Sequence, residues 1–276
     1  MRTLAVLAIA VTGLVLAGAA QARVAQDADQ STNWAGYAVS GSTFTDVKGT
    51  WVQPAAACTG VFTSSYSAFW VGIGGLVGSN GGLEQTGTES DCRNGQPFYT
   101  AWYELLPDGS VSVPVTISAG DTISAEVSID GAAVTLTLTD VTTNQMFTTQ
   151  ETPAVLDTSS AEWIAEAPSR CFSTDHCAQL PLANFGTIEF SGSSTTANGH
   201  VGTISDQSWS ATSIELGGET GSASPAALSP DGSDFTVAFV PVQVTQPQVR
   251  AKPKVKVKAK VKAKPKPRHR HHRASP

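Results

Sequence analysis

Histidine is nearly missing from the body of this 276-residue chain, where only His176 and His200 occur. A serine-type triad would have to rest on one of them. His176 lies in a short cysteine-bounded loop and His200 follows an Asn-Gly turn, places where solvated polar residues collect. The signatures His-Glu-x-x-His, Gly-x-Ser-x-Gly and Asp-Thr/Ser-Gly are also missing. The cysteine and histidine spacings match no usual zinc-ligand pattern, so neither metal nor cofactor is expected. No apolar run beyond the first residues suits a membrane span, and helical periodicity is missing from the body.

Basic side chains are as scarce. All 23 Asp and Glu lie between Asp27 and Asp234, against only Lys48, Arg93 and Arg170, a net of −20 for that stretch. Salt bridges cannot hold such a body together, and at neutral pH its carboxylates repel one another. Repulsion raises native carboxyl pKa values, so stability is expected to increase as pH falls. The missing charge sits in the tail after Gln248, which carries 12 Lys and Arg.

What is present divides the chain in three. Residues 1–22 read as a signal peptide: Arg2, an apolar stretch from Leu4 to Leu16, then small residues ending Ala-Gln-Ala. The stretch is shorter than the ~20 residues a membrane anchor needs, so secretion, extracellular or to the cell envelope, is the expectation. Residues 23–246 form one large domain. Residues 247–276 are a Lys, Pro and His-rich basic tail, read as extended and disordered, with a polyanionic envelope polymer or nucleic acid as its expected contact. Cys58, Cys92, Cys171 and Cys177 are an even set with three possible connectivities; Cys171 and Cys177 are close enough to close a small loop, which leaves Cys58 with Cys92.

Period two runs through the body. Ile123, Ala125, Val127 and Ile129 alternate with Thr122, Ser124, Glu126 and Ser128; Asp130-Gly131 then turns into Val134, Leu136 and Leu138. Further strands are expected near Gly49–Val52, Ala68–Ile73, Phe98–Leu105, Ser112–Ile117, Ala161–Ala165, Phe185–Phe190 and Phe235–Val240. A dozen or so short antiparallel strands read as a two-sheet sandwich. In several of them chemistry gathers on one face. Phe69, Val71 and Ile73 suit a core while Trp70, Gly72 and Gly74 share the other side; Trp102 lies with Glu104; Glu162 is opposite Trp163; Gln85 is opposite Glu84 and Thr86. In adjacent strands these faces would make an aromatic-walled groove, floored by an amide and a carboxylate, that suits an extended polymer.

Ser31–Tyr37, Trp70-Val71-Gly72-Ile73, Gln85-Thr86-Gly87, Ala101-Trp102-Tyr103-Glu104, Ala161-Glu162-Trp163-Ile164 and Ala183-Asn184-Phe185-Gly186 occur in an order that resembles the glutamic peptidases, or eqolisins. The resemblance covers Ser31 to Phe190 well. It implies a concanavalin A-like sandwich of two antiparallel sheets, acid endopeptidase activity on polypeptide substrates, Gln85 and Glu162 as catalytic pair, and Trp70, Trp102 and Glu104 along the substrate groove. Gln53 carries no catalytic match. Gly74 departs from the family, which often has Asp there, so a carboxylate behind the pair is expected to be missing. Glu162 suits a water-activating base that later returns its proton, and Gln85 offers an amide donor that does not ionise. The alternative is a non-catalytic carbohydrate-binding module, since aromatic grooves on sandwiches also hold glycans. A monomer is expected.

Overall fold

A computed structural model of the protein describes residues 29–59, 64–76, 81–173, 176–218 and 221–241. The leader, the basic tail and the boundaries expected at 22 and 246 lie outside these residues. Among the described residues there is no helix, hence none long and apolar enough to cross a membrane.

The strands in chain order are β1 (Asp29–Ser31), β2 (Trp34–Ser40), β3 (Phe44–Val52), β4 (Ala68–Gly74), β5 (Leu83–Arg93), β6 (Gln96–Leu105), β7 (Val111–Val113), β8 (Thr122–Asp130) and β9 (Ala133–Asp140). They continue as β10 (Gln145–Glu151), β11 (Ser160–Glu166), β12 (Ser169–Ser173), β13 (His176–Gln179), β14 (Thr187–Ala197), β15 (His200–Thr203), β16 (Ser210–Leu216), β17 (Ser222–Pro225) and β18 (Phe235–Val240). β12 and β13 pair apart from the rest.

The expected two separate sheets are one continuous path, β10-β9-β8-β3-β14-β18-β17-β16-β2-β11-β4-β5-β6-β7, folded over into two layers. Its ladders are antiparallel, while β1 adds to β16 in parallel. β3 and β8 lie across from β4, and β11 across from β3. Between the layers sits the main core, which includes Val47, Trp51, Ile123, Val127 and Leu136 from one side and Phe69, Val71, Ile73, Ala161 and Trp163 from the other. Trp163 ties the layers directly, its indole N–H donating to the Lys48 carbonyl at 2.8 Å. A second apolar cluster of Ala38, Trp70, Leu83, Trp102, Ile164 and Ile214 lies on the other face of the β2-β11-β4-β5-β6 layer, the face of the site.

Local chemistry sets the registers. The β8–β9 hairpin follows the alternation read in the sequence, closing at Asp130 and Ala133 around Gly131. The β5–β6 hairpin closes at Arg93 and Gln96 around Asn94-Gly95, both at positive φ (52° and 77°), the pairing of residues a two-residue hairpin turn favours. That turn fixes every partner along the ladder, including Gln85 with Glu104 and Gly87 with Trp102. Two expected strands differ. Pairing in the Ser112–Ile117 stretch ends at Val113, just before Pro114, which has no N–H to give. The strand expected at Phe185 starts after Gly186 and runs on to Ala197.

Cys58 and Cys92 are bonded, with Cα atoms 5.3 Å apart. Cys177 is also disulfide-bonded and faces Cys171 across the β12–β13 ladder.

Candidate active site

Cross-strand register builds the site. One row runs Ala38, Glu162, Gly72, Gln85 and Glu104 across β2, β11, β4, β5 and β6. Directly opposed residues project to the same face of a sheet, so Glu162 and Gln85 share a face two strand spacings apart, each about 4.8 Å. The residue between them, Gly72, has no side chain. A Cβ there would meet Trp70 Cζ3 at 2.9 Å, Gln85 Cβ at 3.1 Å and Leu83 Cδ1 at 3.1 Å. Glycine therefore keeps the gap between carboxyl and amide unfilled.

Glu162 is wholly buried, and neither oxygen has a hydrogen-bond partner. Burial pushes its carboxyl well above the usual range. The Ser160 hydroxyl on the same face offsets this in part, and the charges of Asp157 and Glu84 add to it. Gln85 is 4% exposed; its Nε2 donates to Glu104 Oε2 at 2.7 Å while its Oε1 has no partner. Glu104 thus turns the amide so that nitrogen faces the carboxylate, leaving the second N–H of that amide to spare. Burial raises the Glu104 carboxyl, and the Gln85 hydrogen bond pulls it partly back.

The neighbouring row is Gly36, Ile164, Trp70, Gly87 and Trp102. Trp70 is wholly buried, set edge-on to Trp34 at 5.1 Å, with its indole N–H donating to Glu166 Oε2 at 2.8 Å. It backs the wall of the groove from beneath. Trp102 lines a cavity of about 140 Å³ together with Gln85, Glu89, Glu104 and Glu166, and its indole N–H has no partner.

Glu166, Glu89 and Asn33 are site residues that the sequence reading passed over. Glu166 was legible: it stands two and four places from Ile164 and Glu162 on a strand, hence on their face. Its Oε1 accepts from Asn33 Nδ2 at 3.2 Å, and burial pushes its carboxyl up to about 7. Asn33 and Glu89 gave no signal beyond polarity.

The carboxylate expected to be missing at Gly74 is supplied from elsewhere. Gly74 has φ +93°, a conformation that L side chains rarely adopt, and its missing Cβ would lie 2.8 Å from Asp157 Cβ. Asp157, in the loop before β11, accepts from Ser159 N at 2.9 Å and from Gly75 N at 3.4 Å. On the core side of β5, the wholly buried Glu84 has no hydrogen-bond partner for either oxygen, and burial pushes it up to about 8. Gln53 is spent on structure: Nε2 donates to Glu89 O at 2.9 Å and Ser90 Oγ at 2.8 Å, and Oε1 accepts from Thr88 Oγ1 at 2.6 Å. His200 is exposed and pairs with Asp206 at 3.0 Å. Among the described residues no cluster of ligands could hold a metal ion.

Residues 32–239 match the Peptidase A4 family. Aspergillopepsin-2 from Aspergillus niger is 29% identical over 193 residues, an alignment spanning 62% of this chain and 66% of that protein. Scytalido-glutamic peptidase, solved with a transition state analog inhibitor, superposes with a TM-score of 0.65 at 27% identity, covering 76% of this chain and 98% of that one. Aspergilloglutamic peptidase from Aspergillus niger gives a TM-score of 0.54 at 27% identity, over 64% and 99% of the two chains. With three quarters of its length matched, the chain belongs to the Peptidase A4 family, the glutamic peptidases.

Proposed function

We propose that the protein is a secreted acid endopeptidase that hydrolyses peptide bonds with Glu162 and Gln85 acting on one water. The observation that carries this reading is the row in which the two share a face across Gly72, with three of their polar atoms buried and unpaired. Such atoms cost free energy unless something arrives to bond them. Family membership and the likeness to peptidases solved with substrate-like inhibitors support the assignment.

In this reading Glu162 takes a proton from water as the water oxygen bonds to the peptide carbonyl carbon. The carbonyl electron pair moves to oxygen, where the spare N–H of Gln85 donates to it. Collapse of the tetrahedral carbon breaks the C–N bond, and Glu162 returns the proton to the departing nitrogen. Trp102 flanks the substrate, Trp70 backs that wall from beneath, and Glu104 holds Gln85.

Secretion rests on the leader-like N-terminus and the disulfides, which favour an oxidising compartment. We assign the doubled layer to a concanavalin A-like sandwich, residues 23–246 to the peptidase domain of a monomer, and residues 247–276 to a disordered tail that contacts polyanions. Incubation with a denatured protein across pH 3 to 7 tests the activity, because the buried Glu162 carboxyl must ionise before it can take a proton from water. Glu162→Gln and Gln85→Ala are each expected to lower cleavage by about a hundredfold or more. Cleavage persisting at the wild-type rate in both variants overturns the assignment, and glycan binding without cleavage supports the carbohydrate-module alternative.

A further inference from the structure

The cavity beside Gln85 has a composition that peptide hydrolysis alone does not require. Three carboxyls from three strands converge on it: Glu89 from β5, Glu104 from β6 and Glu166 from β11. None of the residues lining it is basic. The donors to Glu104 and Glu166 are neutral: the Gln85 amide and Ser110 backbone for the first, and the Trp70 and Trp34 indoles and the Asn33 amide for the second. Arg93 reaches Glu89 at 3.4 Å, while a second Glu89 bond comes from Thr100 Oγ1 at 2.6 Å. Two carboxyls thus stand half-hidden from water without a countercharge.

Two of the residues lining it also carry unsatisfied polar atoms. The Trp102 indole N–H and Gln85 Oε1 are buried and have no partner. One donates and the other accepts, the pair of functions that a peptide main chain complements. At about 140 Å³ the space would hold roughly five waters at about 30 Å³ each, or one long side chain.

We propose that this cavity is a specificity subsite for a lysine or arginine side chain of the substrate, adjoining the bond that is cut. This rests on the peptidase reading. The cation enters between Glu104 and Glu166 and supplies the charge they lack, forming charge-assisted hydrogen bonds in a place shielded from water. Trp102 and Gln85 take the main chain of the same residue. Glu89, Glu104, Glu166 and, at the rim, Arg93 are the charged groups facing it. Because burial raises the Glu104 and Glu166 carboxyls, the preference strengthens between pH 4 and pH 6.5 as they ionise.

The test uses peptides identical but for one residue, Lys, norleucine or Glu, placed in turn on each side of the scissile bond. The wild type is expected to favour Lys over norleucine in kcat/KM by about tenfold at one position near pH 6, and less near pH 4. Glu166→Gln, which keeps the shape and an acceptor for Trp70, is expected to bring that ratio close to one while leaving the ranking of norleucine over Glu unchanged. The same peptides titrated calorimetrically into Glu162→Gln protein give the order of Kd without turnover. Cleavage of all peptides with no Lys preference overturns the subsite and leaves the peptidase reading intact. Preferential binding of the Lys peptide without cleavage by the wild type does the reverse. Equal Kd for Lys and norleucine, or a Lys preference unchanged in Glu166→Gln, overturns the subsite outright.

Discussion

Gly72 matters for what it omits. A methyl group there would press on Trp70, Gln85 and Leu83 inside a filled cluster, and it would fill the space between the carboxyl and the amide. Gly72→Ala is therefore expected to lower kcat at least tenfold with a modest loss of stability, of about 1–3 kcal/mol from overpacking; steady-state kinetics beside a urea melt separates the two. Asp157 acts on the same site from the loop before β11. Its charge helps hold the Glu162 carboxyl up. Replacing Asp157 with Asn removes that charge, so the acid limb of the kcat/KM pH profile is expected to move to lower pH. A profile of unchanged shape, lowered evenly, would mean that Asp157 serves packing alone.

At the scale of elements, the site depends on turns and anchors. Asn94-Gly95 fixes the β5–β6 register, with Gly95 at φ +77°. Gly95→Val forces a branched side chain into the left-handed region and is expected to cost about 1–2 kcal/mol, visible as an earlier urea midpoint. Much of this layer was legible in the sequence. β4 and β11 announce themselves by Phe69, Val71, Ile73 and Trp163 alternating with Trp70, Gly72 and Glu162, and β6 by Ala101 and Tyr103 alternating with Trp102 and Glu104, and the face assignments hold in the structure. β5 was readable only as an isolated Gln85. Its Glu, Gln, Thr, Ser and Asp residues are buried on both faces, so no apolar alternation marks it, and only the Asn94-Gly95 turn betrays the hairpin. The joining of the two layers into one sheet was not legible, because β17, four residues long, connects them through pairings that no local pattern encodes. Asp157 escaped for a related reason: its place against Gly74 is set by a loop returning from the other layer.

Over the whole molecule, carboxyl burial decides how stability changes with pH. Burial leads in raising Glu84 to about 8, Asp46 and Glu166 to about 7 and Asp91 to about 6, against about 4 in an unfolded chain. Between those values the folded state holds protons that the unfolded state has released, so stability falls as pH rises. It is complete below about pH 4 and drains away from about pH 6 to 8. Asp206, lowered to about 2 by His200, works in the other direction and only in strong acid. A melting-temperature series is expected to decline from pH 4.5 to pH 8; a rise over that interval would contradict the account. The cross-strand row has one more effect. Its members come from Ala38, Gly72, Gln85, Glu104 and Glu162, scattered over more than a hundred residues. Slipping β11 by a single place would bring Trp163 to the groove and send the carboxyl inward. In the proposed reading, a chain whose strands have not all docked is thus harmless to its siblings, and acquires its bite only when the last of them is in place.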